Sequence, residues 1–199
     1  MDNKSTMRIS PIDHQAWTKE VRDILAMFSE QMSSLGLNGD ETEKDSLSPV
    51  LSCLLHNPAL ARAFLPFGRY LLMESSLTAR QRELVTLRVT WLWRFEYEWS
   101  HHYLVAINSS LFTAAELNNL QQDTVADHWP LEEAALIQAV NELHARSNID
   151  QHTWESLSRH FSIQQLLDIV FTVGGYVVSG LYMNAIRLPL KEGMQGFPR

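Results

Sequence analysis

The chain has 199 residues, 45% hydrophobic and 20% charged, with 23 acidic against 16 basic side chains and a formal net charge of −7. That length suits one well-buried domain, and an acidic balance without a basic stripe excludes a nucleic-acid groove. The single cysteine, Cys53, excludes an internal disulfide and an all-cysteine metal site, so a reducing, cytoplasmic setting is expected.

The stretch "MDNKSTMRISPIDHQAW" lacks the apolar core of a signal peptide. Pro11 stands at an expected first helical position. Behind it Trp17, Val21, Ile24, Leu25, Phe28, Met32 and Leu35 form one apolar stripe at helical spacing. Residues 36–46, polar and glycine-punctuated, read as a surface loop. Ser48-Pro49 opens a short helix; Asn57-Pro58 ends it and starts another, expected to turn Leu60, Phe64 and Leu71 inward.

Thr78 and Gln81 make a capping box at the head of "TARQRELVTLRV", and Thr113 with Glu116 repeats the device before "AAELNNL". Pro130 opens a helix whose Leu136, Ile137, Val140 and Leu143 share a face. Asp150 or Thr153 caps "WESLSRHF", and Ser162 precedes a last apolar helix. The uncharged run within it, Ile169 to Met183, has 15 residues. That is short of the ~20 that span a bilayer. Bracketed by Asp168 and Asn184 and interrupted by glycines, it reads as a core helix or a subunit interface rather than a membrane span. No segment alternates with period two. The expected fold is all-α, about eight or nine helices, one domain over residues 1–199 with an N-terminal helical extension at about 10–47.

The densest chemistry lies in "RFEYEWSHHYLVA", residues 94–106. Glu98 and His102 are four apart and share a helix face; a carboxylate there raises the histidine pKa and fixes its tautomer. Glu83 lies fifteen residues before Glu98. On an unbroken helix that is about 22 Å, too far for shared chemistry. A turn inside "TWLWRFEY", β-branched and aromatic and so poorly helical, brings Glu83 against His102. Glu98 and His101 form an E-x-x-H element, but a di-iron site needs a second one, and H-E-x-x-H is also absent. No metal is expected. His101 is expected to face outward. Taken singly, each residue has a structural use: Glu83 beside a helix dipole, and Trp91, Trp93, Tyr97 and Trp99 in a core.

"NPALARAFLPFGRYLL" followed by "LTARQRELVTLRVTWLWRFEYEWSHHYLVA" resembles the carboxymuconolactone decarboxylase family, which includes the alkylhydroperoxidase AhpD. The likeness continues through "WPLEEAALIQAVNELH" and "IDQHTWESLSRHFSIQQLLDIVFTVGGY". It implies an all-helical, AhpD-like homo-oligomer, as dimer, trimer or hexamer. The AhpD pattern E-x11-C-x2-C-x3-H falls on Glu83, Phe95, Glu98 and His102, so the glutamate and histidine are kept and the peroxidatic cysteine is lost.

The resemblance therefore implies the chemistry of the decarboxylase branch, a lyase or isomerase without metal or cofactor. Its reaction is decarboxylation, isomerisation or lactone chemistry on a small anionic lactone or unsaturated acid. Glu83, Glu98 and His102 are the implied catalytic groups; Arg88, Tyr97, Trp99 and Tyr176 are the substrate contacts, with Arg88 or Arg94 as the cation. Neither nucleic acid nor membrane is expected as a partner. The alternatives are an AhpD-like antioxidant protein, against which the missing cysteines count, and a non-catalytic oligomer that binds a small molecule.

Overall fold

The computed structural model describes residues 7–34, 47–122 and 129–198; the expected loop at 36–46 lies outside them. The described residues hold nine α-helices and no β-strand. Contacts divide the chain into two compact units, Met1–Glu74 with Ala185–Leu188, and Ser75–Asn184 with Pro189–Arg199.

In the first unit, α1 (Lys19–Ser34) starts later than Pro11 suggests. The Thr18 hydroxyl accepts from the Val21 N–H and caps it, while Pro11 precedes a short 3-10 turn at His14–Ala16. Val21, Ile24, Leu25 and Phe28 are buried along its stripe. In α2 (Pro49–Leu54) and α3 (Pro58–Arg69), Ser48 and Asn57 cap helices that open with proline, as expected. Leu60 is exposed, however. The inward face of α3 runs through Ala61 and Leu65, one residue later than the leucine-based stripe indicates, and Leu71 is buried from the wide turn Tyr70–Glu74.

The second unit contains α4 (Ala79–Leu92), α5 (Glu96–Asn108), α6 (Ala114–Asn119), α7 (Leu131–Arg146), α8 (Gln151–His160) and α9 (Ile163–Ile186). Both capping boxes form. Every residue of α4 from Glu83 to Thr90 is buried. A helix covered on all sides must satisfy its polar groups internally, and α4 does so twice through arginine. Arg80 donates to Glu133, to Glu116 and to the Leu111 carbonyl. Arg88 donates from Nη1 to the Leu120 and Gln122 carbonyls at 2.6 and 2.7 Å, and from Nε to Asn141 at 2.7 Å.

The turn expected inside "TWLWRFEY" is present: α4 ends at Leu92 and α5 begins at Glu96. The reversal places Arg94 at φ 59°. A left-handed conformation costs a residue with a Cβ about 1 kcal/mol. Helix α9 has 24 residues, longer than its uncharged run, because Asp168 does not end it. The Asp168 carboxylate accepts from the Ser76 N–H at 2.7 Å and the Ser76 hydroxyl at 2.6 Å. By length and composition α9 reaches what a bilayer crossing needs, and half of its most apolar window is buried within the fold. Ile163, Leu167, Phe171, Val178 and Leu181 line its exposed side.

Candidate acid–base site

The reversal at Trp93-Arg94 brings α5 back beside α4 and joins two groups separated by nineteen residues. His102 Nδ1 lies 2.8 Å from Glu83 Oε2. Its Nε2 faces Glu98 Oε2 at 3.6 Å, an ionic contact longer than a hydrogen bond. The other Glu98 oxygen accepts from the Ser179 hydroxyl at 2.7 Å. The Tyr176 ring stands edge-on to the imidazole at a centroid distance of 5.1 Å. Glu83, Glu98 and His102 are 3%, 5% and 6% exposed. One imidazole is thus held between two carboxylates in a closed, aromatic setting.

Burial opposes charge on all three groups, and partners decide the outcome. Burial pushes His102 down, but the charge and hydrogen bond of Glu83, aided by the charge of Glu98, leave it above its ordinary value. Burial pushes Glu83 up, and the charge and hydrogen bond of His102 more than reverse that. For Glu98 burial prevails over His102 and Ser179, so its carboxyl stays above the usual range. Two carboxylates therefore sit in different states around one base: Glu83 the better anion, Glu98 the better proton donor.

The remaining expected site residues separate. Tyr176 joins the cluster. Tyr97 and Trp99 are buried on the same turns of α5; burial, then the charge of Glu98, pushes the Tyr97 phenol up to about 12. Trp99 packs among the rings of Trp91, Tyr103 and Phe197. Arg88 does not serve the site, because its donors hold the chain that follows α6. His101 is half-buried rather than outward-facing. Its ring meets His102 at 5.2 Å, and burial, then the positive charges of His102 and Lys191, lowers it to about 4.

Two contributors carried weak sequence signals. Ser179 follows Tyr176 by three residues and so shares its face of α9. Arg82, next to Glu83, reads as an ordinary surface charge; in the fold its charge acts on Glu83, His102 and Tyr176, and its buried Nε has no hydrogen-bond partner among the described residues. Among those residues no three His, Cys, Asp or Glu side chains gather with the geometry of a metal site.

Residues 58–141, which include α4, α5 and the Glu83–His102 pair, match the model of the carboxymuconolactone decarboxylase family. That stretch is similar to the family and spans less than half of the chain. Solved structures share its AhpD-like fold at low identity. A cysteine-to-alanine variant of the debrominase Bmp8, in complex with 2,3,4-tribromopyrrole, aligns with a TM-score of 0.72 at 13% identity over 94% of each chain. A peroxidase-related protein with an alkylhydroperoxidase AhpD core, from Ralstonia eutropha, aligns at 0.71 and 18% identity over 94% of this chain and 93% of its own. A peroxidase-related protein from Silicibacter aligns at 0.69 and 16% identity over 97% and 94%. No curated protein matches the chain by sequence. Where the AhpD pattern has its cysteine pair, this chain holds Phe95 and Glu98, and Cys53 belongs to α2 in the first unit.

Proposed function

We propose that this carboxymuconolactone decarboxylase-family protein is an acid–base catalyst, a lyase or isomerase acting without cofactor on a small organic acid. The observation that carries this reading is the single imidazole between two buried carboxylates of unlike proton affinity. Glu83 accepts the hydrogen bond of Nδ1–H and fixes the tautomer, so Nε2 is the nitrogen that exchanges protons with substrate. The cationic imidazole delivers a proton from Nε2 to carbon or to an enolate as that charge develops. Glu98, beside Nε2 and held toward its neutral form, reloads or accepts that proton.

The anionic group of the acid needs a cation, and Arg82 supplies one. A buried guanidinium donor without a partner is costly until a ligand oxygen fills it. Decarboxylation, isomerisation and lactone chemistry all pass through an enol or enolate, which this arrangement can protonate. The exposed apolar side of α9 supports self-association of like chains, which sedimentation equilibrium reads directly.

The test is proton exchange at carbon. Unsaturated acids and carboxylate-bearing lactones are incubated with the protein in D2O and followed by NMR. Deuterium is expected at a carbon of at least one of them, and not with the folded His102→Gln variant. Absence of exchange across the set, or equal exchange with His102→Gln, overturns the reading.

A further inference from the structure

The C-terminal segment runs antiparallel to the first turns of α5. The charge of Lys191 reaches His101. The Ser100 hydroxyl lies 2.6 Å from the Gln195 carbonyl, which it shares as acceptor with the Glu96 carbonyl, and the Phe197 N–H donates to Glu96 Oε1 at 3.1 Å. A Cβ at Gly196 would stand 2.3 Å from the same Glu96 oxygen, so glycine lets the segment lie this close without displacing that carboxylate.

The segment ends in an aromatic anchor. The Phe197 ring meets Trp91 edge-on at 5.3 Å and stacks on Trp99 at 6.1 Å, while the Arg94 guanidinium lies 3.9 Å over its face. The slot belongs to helices: Trp91 is in the last turn of α4, and Trp99 is buried in α5 between Glu98 and the turn that bears His102. Its occupant is held more lightly. Phe197 is half-buried, and Lys191, Glu192, Gly193, Gln195 and Pro198 around it are exposed.

One indole stacked and one edge-on recognise a flat ring, and a guanidinium recognises a negative substituent on it. Phe197 meets the first requirement and leaves the second open: Arg94 has no carboxylate within salt-bridge distance among the described residues. Meanwhile Glu83, Glu98 and His102 are buried, so a ligand reaches them only if a covering segment moves.

We propose that Trp91, Trp99 and Arg94 form a binding slot for a flat, conjugated or aromatic acid, with Phe197 as its removable internal occupant. Such a ligand reaches His102 by displacing the C-terminal segment. That last step rests on the acid–base reading; the slot itself does not.

Calorimetric titration of the full chain with benzoate tests it. When a site is open only part of the time, apparent affinity falls by the open fraction. Phe197→Ala is therefore expected to bind benzoate about tenfold more tightly than the unsubstituted protein, given an anchor of aromatic and cation–π strength. Phe197→Leu, which keeps bulk without a ring face, falls between them and guards against a local loss of fold in the alanine variant. Adding Arg94→Gln to Phe197→Ala removes most of the gain, and cyclohexanecarboxylate, with the charge but no aromatic face, gains little. Equal benzoate binding with and without Phe197, or an equal gain for cyclohexanecarboxylate, overturns the slot. Benzoate gain without any deuterium exchange on the acids of the previous experiment overturns the acid–base reading and leaves the slot standing. Exchange without benzoate gain does the reverse.

Discussion

Two ionic clusters in the second unit start from α4, one half-buried and one buried, and differ in the base at their centre. Arg80 binds Glu133 through two parallel contacts of 2.6 and 2.9 Å and reaches Glu116 at 2.6 Å. His102 stands between Glu83 and Glu98. Each cluster places two carboxylates around one base. The guanidinium is a permanent charge with enough donors for every neighbour, and its hydrogen bonds to Glu133 push its pKa further up. The imidazole has two nitrogens and a proton it can release. A cluster built on arginine joins α4, α6 and α7 at any ordinary pH; the one built on histidine can change state.

Activity separates the two most widely. His102→Gln is expected to lower any deuterium exchange the protein catalyses by about 10²-fold or more, whereas Arg80→Gln leaves it within a few-fold. Exchange lost equally in both variants would show that the clusters do one job. Stability reverses the order of interest. Arg80→Ala leaves Glu133 without its cation and is expected to cost about 3 kcal/mol by chemical denaturation. A cost near zero would make the Arg80 cluster a surface ornament.

Next in size is Gly180→Ala. A Cβ there would meet the Phe95 ring at 2.1 Å. The overpacking is expected to cost about 1–3 kcal/mol and, by shifting Phe95, to disturb the turn that holds Glu98; a neutral thermal scan would show that α9 yields instead.

The pH dependence gives a finer contrast. His102 titrates above its ordinary 6.5 in the folded protein, so its pairing contributes stability that is full below 6.5 and is lost as pH rises through the raised value. Glu83 titrates below 4.5, so its share is present above 4.5 and is lost as pH falls through the lowered value. The thermal midpoint is therefore expected to decline as pH rises above about 6.5, and to flatten in His102→Gln. The Arg80 cluster adds no slope there, since Arg80 is shifted up and Glu116 down, both away from that window. A slope unchanged in His102→Gln would move the titration elsewhere. The smallest effect is expected from Ser179→Ala. Without its hydroxyl donor Glu98 rises further, at a cost of about 1 kcal/mol, read as a stability change with activity mostly kept.

Much of this was legible locally. Ser48-Pro49, Asn57-Pro58 and the two capping boxes mark helix starts because a cap is settled by neighbours three residues apart. The break before α5 showed as a run of poor helix formers, whereas the Glu83–His102 meeting stayed open between a turn and an unbroken helix until the fold placed the pair. What failed to show depends on distant partners. Asp168 reads only as the charge that brackets an apolar run until Ser76 supplies its hydrogen bonds. Arg88 looks like a cation for substrate until three acceptors claim it. Arg82 looks like solvent-facing charge, and the place of Phe197 is set by rings on two helices about a hundred residues earlier. Leu60 shows the opposite error, in which a large apolar side chain suggested an inward face that Ala61 and Leu65 in fact occupy.

The reversal at Arg94 has a further consequence for how this protein can vary. Each residue advances a helix by about 100°, so inserting or deleting one between Leu92 and Glu96 would swing His102 off Glu83 while keeping both residues in the chain. The side chains of the connection have tasks of their own, Phe95 against Gly180 and Arg94 over Phe197, but the pair is keyed by the number of residues that joins its two helices.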